Sequence, residues 1–428
     1  MNEEQKFLFK VLNRALTFFR IPVAVLILQF QNIFQFLKCL TQKNSVLKAE
    51  SPNPGQPILV VALWQYGPLR EDIKKLFATA QQLGFFVLAV NTGKGQGEQE
   101  YENASYYAQI PNFGRDFASY KFAMQTIYRN GWHKNSSRLV LTNDSIFFSE
   151  AGLKVFLSAS LKSKFRALGA TENFEYERHL GSFFLSFDAS VFQHKRFIRF
   201  WMRYRRSNLR PTVIRRGELG LSKTVKKFID SNDFRALYDI GSIAERFSTH
   251  DVTQADRLFS FAVRAPGPLS WKRTLLPVVA EEWRNRYSAL MIRPTSETKI
   301  TVNQLQEILV RSVTISGLSK EISRLTPSAE ENDVYTTLRE VAIESVLISA
   351  ASGSQIHTAC LWFSEAGLPI AKLDLLYRGT ASFSDILKFQ NFMSHDEFLQ
   401  FRALIFSRTY GGDTLVGWRR AAFFRGLI

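Results

Sequence analysis

The order of apolar and polar positions divides the chain into three textures. Near the amino end, Leu8, Val11, Leu12, Ala15, Leu16 and Phe19 recur at helical spacing on one face. Asn2 ahead of Glu3 and Glu4 supplies an N-cap with acids in the first turn. Pro22 predicts a break or kink, after which a second apolar segment runs to Leu40. Residues 1–50 therefore read as N-terminal amphipathic helices, either a hairpin packed on its own protein or an anchor in a membrane interface. The most apolar run, 21–30, spans about 10 residues before Gln31, Asn32 and Gln35 interrupt it, where a membrane-crossing helix needs about 20, so no such span is expected. Nor is a cleavable secretory leader, because Glu3 and Glu4 stand where one would be basic.

A polar linker, 50–57, precedes the second texture. Residues 58–63 form a continuous apolar run of the kind a buried parallel strand has. A turn at Gly67-Pro68, a helical segment over 71–83 and a second apolar run over 85–90 follow. Strand, helix and strand at this spacing make one βαβ unit, which requires parallel pairing and a right-handed crossover. The pattern repeats with a helix over 116–128 and a strand over 138–141, and 182–188 reads as a further strand. Such a sheet puts ligand-binding loops at the carboxyl ends of its strands. This predicted α/β domain covers 56–266. The third texture, 267–428, is mainly helical, for example over 302–313 and 332–348. It ends in a basic aromatic tail in which Trp418, Phe423 and Phe424 lie among Arg419, Arg420 and Arg425.

Charge narrows the choice of partner. Lys and Arg number 55 against 38 acids, a net +17, so the expected partner is anionic: nucleic acid, phospholipid headgroups or a nucleotide-type substrate. Much of the excess lies in 195–227, where twelve Lys and Arg face the single acid Glu218. There Phe197, Phe200, Trp201 and Tyr204 form a stripe expected in the core, and Arg196, Arg199, Arg203 and Arg206 form another. Cys39 and Cys360 make no CxxC, which argues against a zinc ribbon, a redox pair or a disulfide framework and fits a reducing cytoplasm.

Candidate chemistry gathers where strand ends are expected. In Asn91-Thr92-Gly93-Lys94-Gly95-Gln96-Gly97 the glycines would let amides approach a phosphate, but Lys94 is followed by Gly95 rather than Ser or Thr, so this is not a P-loop. Asn112-Phe113-Gly114-Arg115-Asp116 opens a helix. Gly114 permits a tight turn, Arg115 offers a bidentate fork and the helix amino end adds positive partial charge. In the plainer reading Asp116 caps that helix and pairs with Arg115. Thr142-Asn143-Asp144-Ser145 ends an apolar strand in hard oxygen ligands, suited to a divalent cation bridging diphosphate oxygens or to an ordinary turn. Glu172 and Glu175 lie on an expected loop, and His179 and Ser182 open the next strand.

These blocks, in this order over roughly residues 58–230, resemble the rhamnan synthesis F family of bacterial cell-surface polysaccharide glycosyltransferases. The match runs through Asn112, Gly114, Arg115 and Asp116 with Tyr120 after them, then Asn143, Asp144 and Ser145, then Gly169, Thr171 and Glu172. It continues through His179, Ser182, Phe183 and Phe184, the helix with Phe197, Phe200 and Trp201, and Glu218-Leu219-Gly220-Leu221-Ser222. The resemblance implies an α/β, GT-A-like (Rossmann-type) mostly parallel sheet flanked by helices. It also implies transfer of a sugar, rhamnose among the candidates, from a nucleoside diphosphate donor to a cell-surface polysaccharide or lipopolysaccharide acceptor.

By position, Asn112, Gly114, Arg115, Asp116, Asn143, Asp144 and Ser145 would bind the donor, and Ser182 and Glu218 would orient the acceptor. GT-A enzymes usually carry two acids as Asp-x-Asp, whereas here Thr142 and Asn143 precede Asp144 alone. The diphosphate would therefore be met by Mg²⁺ or Mn²⁺ on Asp144, or by a cationic clamp. An inverting transfer needs a base, for which Glu172, Glu175 and His179 are the candidates. The implied partners are a nucleotide-sugar donor, a glycan or lipid-linked acceptor and an anionic membrane surface, with no nucleic acid. The implied place is cytoplasmic, peripheral on the inner face of the cell membrane. The competing readings are a non-catalytic scaffold of a glycan assembly complex and a basic nucleic-acid-binding protein.

Overall fold

The computed structural model describes residues 3–93, 101, 103–247, 251–261, 314–325, 331–350 and 353–428. Lys94 to Gly97 and the helical pattern at 302–313 lie outside the described residues. The chain divides into two compact units. The first comprises Met1–Ala170, His179–Arg235 and Arg408–Ile428, and the second Thr171–Arg178 and Ala236–Ser407. This division differs from boundaries at 50 and 267 in three respects. The amino-terminal helix and the carboxyl tail both join the first unit, the second begins near 236, and the short stretch carrying Glu172 and Glu175 belongs with the second.

The first unit is built on a sheet that has eight strands among the described residues. They are β1 (Ser45–Ala49), β2 (Ile58–Leu63), β3 (Phe86–Asn91), β4 (Tyr106–Gln109), β5 (Arg138–Asn143), β6 (Ala167–Gly169), β7 (Phe184–Asp188) and β8 (Phe234–Ala236). Their spatial order is β1-β4-β3-β2-β5-β7-β6-β8. β4, β3, β2 and β5 are mutually parallel, while β1 pairs antiparallel with β4, and β7 runs antiparallel between β5 and β6. The fold is thus α/β with a mostly parallel central sheet flanked by helices. The central strands are apolar throughout because both of their faces are covered. Ile58, Val60, Ala62, Phe86, Leu88 and Val90 meet Phe117, Tyr120, Met124 and Ile127 of α3 (Arg115–Arg129) in one core. On the other face, Leu59, Val61, Val87 and Ala89 are equally buried, and α2 (Glu71–Gln82) contributes Ile73, Leu76, Phe77 and Ala80.

The sheet order reverses direction at its centre. From β2 the chain steps outward to β3 and β4, then returns to place β5 on β2's other side. The loops leaving β2 and β5 therefore lie side by side at their carboxyl ends, at the kind of reversal where open α/β sheets bind ligands. Of the aromatic stripe expected in the core, Phe197 and Trp201 of α4 (Lys195–Arg203) are fully buried and Tyr204 nearly so, while Phe200 is half-buried at the core's edge. The basic stripe is left outside.

The amino end corrects the reading of two helices split at Pro22. Glu3–Leu40 is one helix, α1, and Pro22 sits inside it. It also corrects the length of the apolar run, since Phe19–Leu40 is long and apolar enough to cross a membrane by length and composition. Residues 45–49, expected in the helical region, instead form the edge strand β1. The polar residues that seemed to interrupt the apolar run attach the helix to the domain. Asn32 Oδ1 accepts from the Asn208 backbone N–H (2.8 Å) and the Ser207 hydroxyl (3.2 Å), the Asn208 side chain donates to Gln35, and the Phe36 ring lies 5.6 Å from Phe113. The aromatic tail is in part a packing element. Its helix, Gly417–Phe424, packs on α1, and Phe423 is buried beside Tyr410.

Asn208 joins α1 to the turn before α3, because its Oδ1 also accepts from the Gly114 N–H at 2.6 Å. Asn208→Ala leaves that part-buried N–H and Gln35 without this partner. The expected cost is about 1–3 kcal/mol, read as a lower Tm together with faster proteolysis within α1. An unchanged Tm and cleavage pattern would show that α1 is held by other contacts.

Candidate active site

The carboxyl edge of β2 and β5 is built from residues of both strands. Asn143, the last residue of β5, is buried, and its side-chain amide uses all of its hydrogen-bonding capacity. Nδ2 donates to Asp116 Oδ2 (3.1 Å) and to the Tyr120 hydroxyl (3.2 Å), while Oδ1 accepts from the Ser145 N–H (3.1 Å) and its hydroxyl (2.5 Å). Tyr120 in turn donates to the Ser182 carbonyl at 3.0 Å. The two segments singled out in sequence, 112–116 and 143–145, thus meet through one amide. No side-chain hydrogen bond caps α3, and Arg115 Nε donates to the Asn208 carbonyl at 3.1 Å.

The turn into α3 is strained. Gly114 has φ +110°, and a Cβ there would stand 2.8 Å from Ala118 Cβ. Arg115 follows at φ +54°, the one non-glycine residue with positive φ among those described. Such strain persists only where the surroundings impose it, and it concentrates at functional sites. Asn112 and Arg115 are exposed at this turn, whereas Asp116 is half-buried behind it.

Asp144 stands where the β2 and β5 loops meet. Its Oδ2 accepts from the Trp64 N–H (2.7 Å) and from Gln65 Nε2 (3.3 Å), and Arg70 donates to its carbonyl at 2.9 Å. Protein surrounds most of the carboxyl, yet part of the residue meets solvent, and Oδ1 has no hydrogen bond among the described residues. Burial pushes the Asp144 carboxyl above its ordinary value, opposed by the Trp64 N–H, the Arg70 guanidinium and the Gln65 amide, while the nearby Asp72 carboxylate adds to the rise. The missing first acid of Asp-x-Asp has a physical explanation. Thr142 points into the sheet, fully buried, and donates to the Phe183 carbonyl at 2.8 Å, so a ligand could not act from there. Among the described residues no three His, Cys, Asp or Glu side chains converge as a metal cluster. What remains is a single carboxylate oxygen, which fits a Mg²⁺ or Mn²⁺ that keeps waters and takes its other ligands from phosphate.

The remaining sequence candidates divide between the units. His179 is buried in the first unit, its Nε2 3.7 Å from Glu218 Oε2. Glu218 is half-buried and ends a π-helical turn, Ile214–Glu218, in which Gly217 lies against the Phe117 ring. Such a turn redirects side chains and is frequent at functional sites. Asp116 and Glu218 both raise the titration of the Tyr120 and Tyr204 phenols, whose burial is the larger cause. Glu172 and Glu175 lie in the second unit, where Arg178 donates to Glu172 Oε1 at 2.7 and 2.9 Å and Glu175 faces Arg378.

Sequence reasoning missed the β2 side of this edge. Trp64 and Tyr66 are 59% and 61% exposed, with ring centroids 6.1 Å apart, although each follows a fully buried strand closely. Exposed aromatics at such an edge offer stacking surface. Gln65 is fixed from two directions: its N–H and carbonyl both bond the Asn91 side chain at 3.1 Å. Gly93 passes so close that a Cβ would fall 1.9 Å from the Gln65 carbonyl oxygen, so only glycine fits. The signal was available, because Trp64-Gln65-Tyr66 ends an apolar run as Asn143-Asp144-Ser145 does.

No family model matches the chain, and no curated protein matches it. Among the solved structures that match is the crystal structure of the glycosyltransferase GlyE in Streptococcus pneumoniae TIGR4, at 9% identity and a TM-score of 0.25. The match covers 46% of this chain and 49% of that one, about half the length of the solved structure. A likeness of that size carries no argument about chemistry, which rests on the geometry above.

Because folded Asp144 titrates above its unfolded value, its ionised form costs stability. That cost is absent below about pH 4, where both states are protonated, and it grows as pH rises through the folded value. Asp144→Asn keeps an acceptor for Trp64 and removes the charge. The expected result is an equal or higher Tm at neutral pH, with the difference vanishing in acid. A lower Tm at pH 7 would make Asp144 a structural turn residue.

Proposed function

We propose that this chain is a glycosyltransferase of the polysaccharide-building type that the rhamnan synthesis F resemblance implies. A nucleoside diphosphate sugar would be bound at the carboxyl edge of β2, β3 and β5. The observation that carries this reading is the position of Asp144 at the reversal of strand order, partly reached by solvent, with the strained 114–115 turn tied to the same sheet edge through Asn143. Open α/β sheets bind their ligands at such a reversal.

Breaking the sugar–phosphate bond leaves a dianionic leaving group, and charge aimed at it lowers the barrier. Asp144 would hold a Mg²⁺ or Mn²⁺, which supplies positive charge at the diphosphate. Arg115 and the amino end of α3 add fixed positive charge from the chain itself. Trp64 and Tyr66 would stack on the flat face of the base or sugar. Asp116, held by Asn143, accepts a hydrogen bond from a donor sugar hydroxyl. Glu218 takes the proton of the acceptor hydroxyl, being half-buried, whereas His179 behind it is sealed from solvent and positions it. Glu172, engaged by Arg178, is less suited to that role than the sequence suggested.

The exposed apolar stripe of α1, with Phe19, Leu26, Phe30, Ile33, Leu37 and Leu40, and the net charge of +17 support a place on an anionic membrane, where a glycan or lipid-linked acceptor is presented. The bonds of Asn32 and Gln35 to Asn208 favour a helix lying along the cytoplasmic face over one crossing the membrane.

Calorimetric titration of the full chain with UDP, dTDP and GDP sugars, with and without Mg²⁺, tests the reading. Saturable heat is expected with at least one donor, and its loss in Asp144→Asn. Glu218→Gln should keep that heat while turnover falls by about 10²–10⁴. No heat with any donor would favour the scaffold reading.

A further inference from the structure

The basic tract does more than charge a surface. Between α4 and α5 (Leu219–Lys226) lies a groove of about 760 Å³ lined by Arg196, Arg199, Arg203, Arg205, Arg216 and Lys227, with no carboxylate on its walls. Among the described residues none of these six cations has a salt bridge, although mutual repulsion in one groove costs stability. At its inner wall sits Tyr204, 5% exposed, whose hydroxyl is buried and has no hydrogen-bond partner. A buried hydroxyl without a partner costs free energy that a bound acceptor atom would recover. Arg216 of the groove wall lies in the Ile214–Glu218 turn, so the groove reaches the turn that ends in Glu218.

We propose that this groove binds a diphosphate group carried by the acceptor, with Arg199, Arg203 and Arg216 holding its oxygens and the Tyr204 hydroxyl donating to one of them. Its assignment to the acceptor rests on the glycosyl-transfer reading; the diphosphate site does not. Planar guanidinium groups bind phosphate oxygens in pairs. A diphosphate seated here would point the sugar it carries toward Glu218. The donor's own diphosphate belongs at Asp144, which is not among the residues lining the groove.

Inorganic pyrophosphate titrated into the full chain without divalent cation tests the site. The expected outcome is saturable binding that Asp144→Asn leaves unchanged. Arg199→Ala/Arg203→Ala should weaken it about tenfold, and Tyr204→Phe roughly fivefold. The exposed control pair Lys154→Ala/Lys162→Ala, which removes equal charge elsewhere, should not change it. Tyr204→Phe should keep or raise Tm, since it removes only an orphan hydroxyl, so a loss of affinity there is not a loss of fold. Displacement of pyrophosphate by phosphatidylcholine vesicles bearing a polyprenyl diphosphate would give the source as lipid, and displacement by a soluble phosphorylated glycan alone would give it as a glycan. Equal weakening in the control pair, an unaffected Tyr204→Phe, or loss of binding in Asp144→Asn would overturn the proposal. Absence of nucleotide-sugar binding would instead strike the transferase reading and leave the pyrophosphate result standing.

Discussion

The side-chain amide of Asn143 is the joint on which the site depends. Its two donors reach Asp116 and Tyr120 from α3, and its carbonyl oxygen receives both bonds from Ser145, so the end of β5, the start of α3 and the turn bearing Asp144 hold one geometry. An aspartate at 143 would set two carboxylates against each other, and a flipped amide would turn an oxygen toward Asp116. This is why the segment reads Thr-Asn-Asp: one position is spent inside the sheet, one on the joint, and the third meets solvent.

Around that joint the strain and the polarity have a common direction. Gly114 and Arg115 adopt left-handed backbone because Asn208 holds the turn from outside while Asn143 holds Asp116 from inside. Gly93 and Asn91 bring the β3 loop against Gln65, which in turn reaches Asp144. Each contact spans dozens of residues in sequence, and together they shape an edge with exposed aromatics on one side and carboxylates on the other.

Much of the scaffold was legible in the chain. The continuous apolar runs at 58–63 and 85–90 can be satisfied only by strands buried on both faces, and the helix between them by a parallel crossover. The positions of Asn112 to Asp116 and Asn143 to Ser145 at strand ends followed from the same pattern. What was not legible is long-range. Pro22 removes one helical hydrogen bond, a local cost, yet α1 continues because its later turns are fixed to Asn208 and to the tail helix, which no local pattern shows. Likewise, nothing in the spacing of Thr171 to Arg178 says that this stretch belongs with residues beyond 236. The role of Asn208 leaves no mark in its neighbours at all.

The account as a whole requires a nucleotide at the carboxyl edge of β2 and β5. A crystal structure of the full chain soaked with nucleoside diphosphate sugars and Mg²⁺ tests this most directly. The account predicts diphosphate oxygens at the open side of Asp144, the base against Trp64 or Tyr66, and the sugar beside Asp116. A nucleotide bound elsewhere on the chain, with this edge empty at saturating ligand, would contradict it.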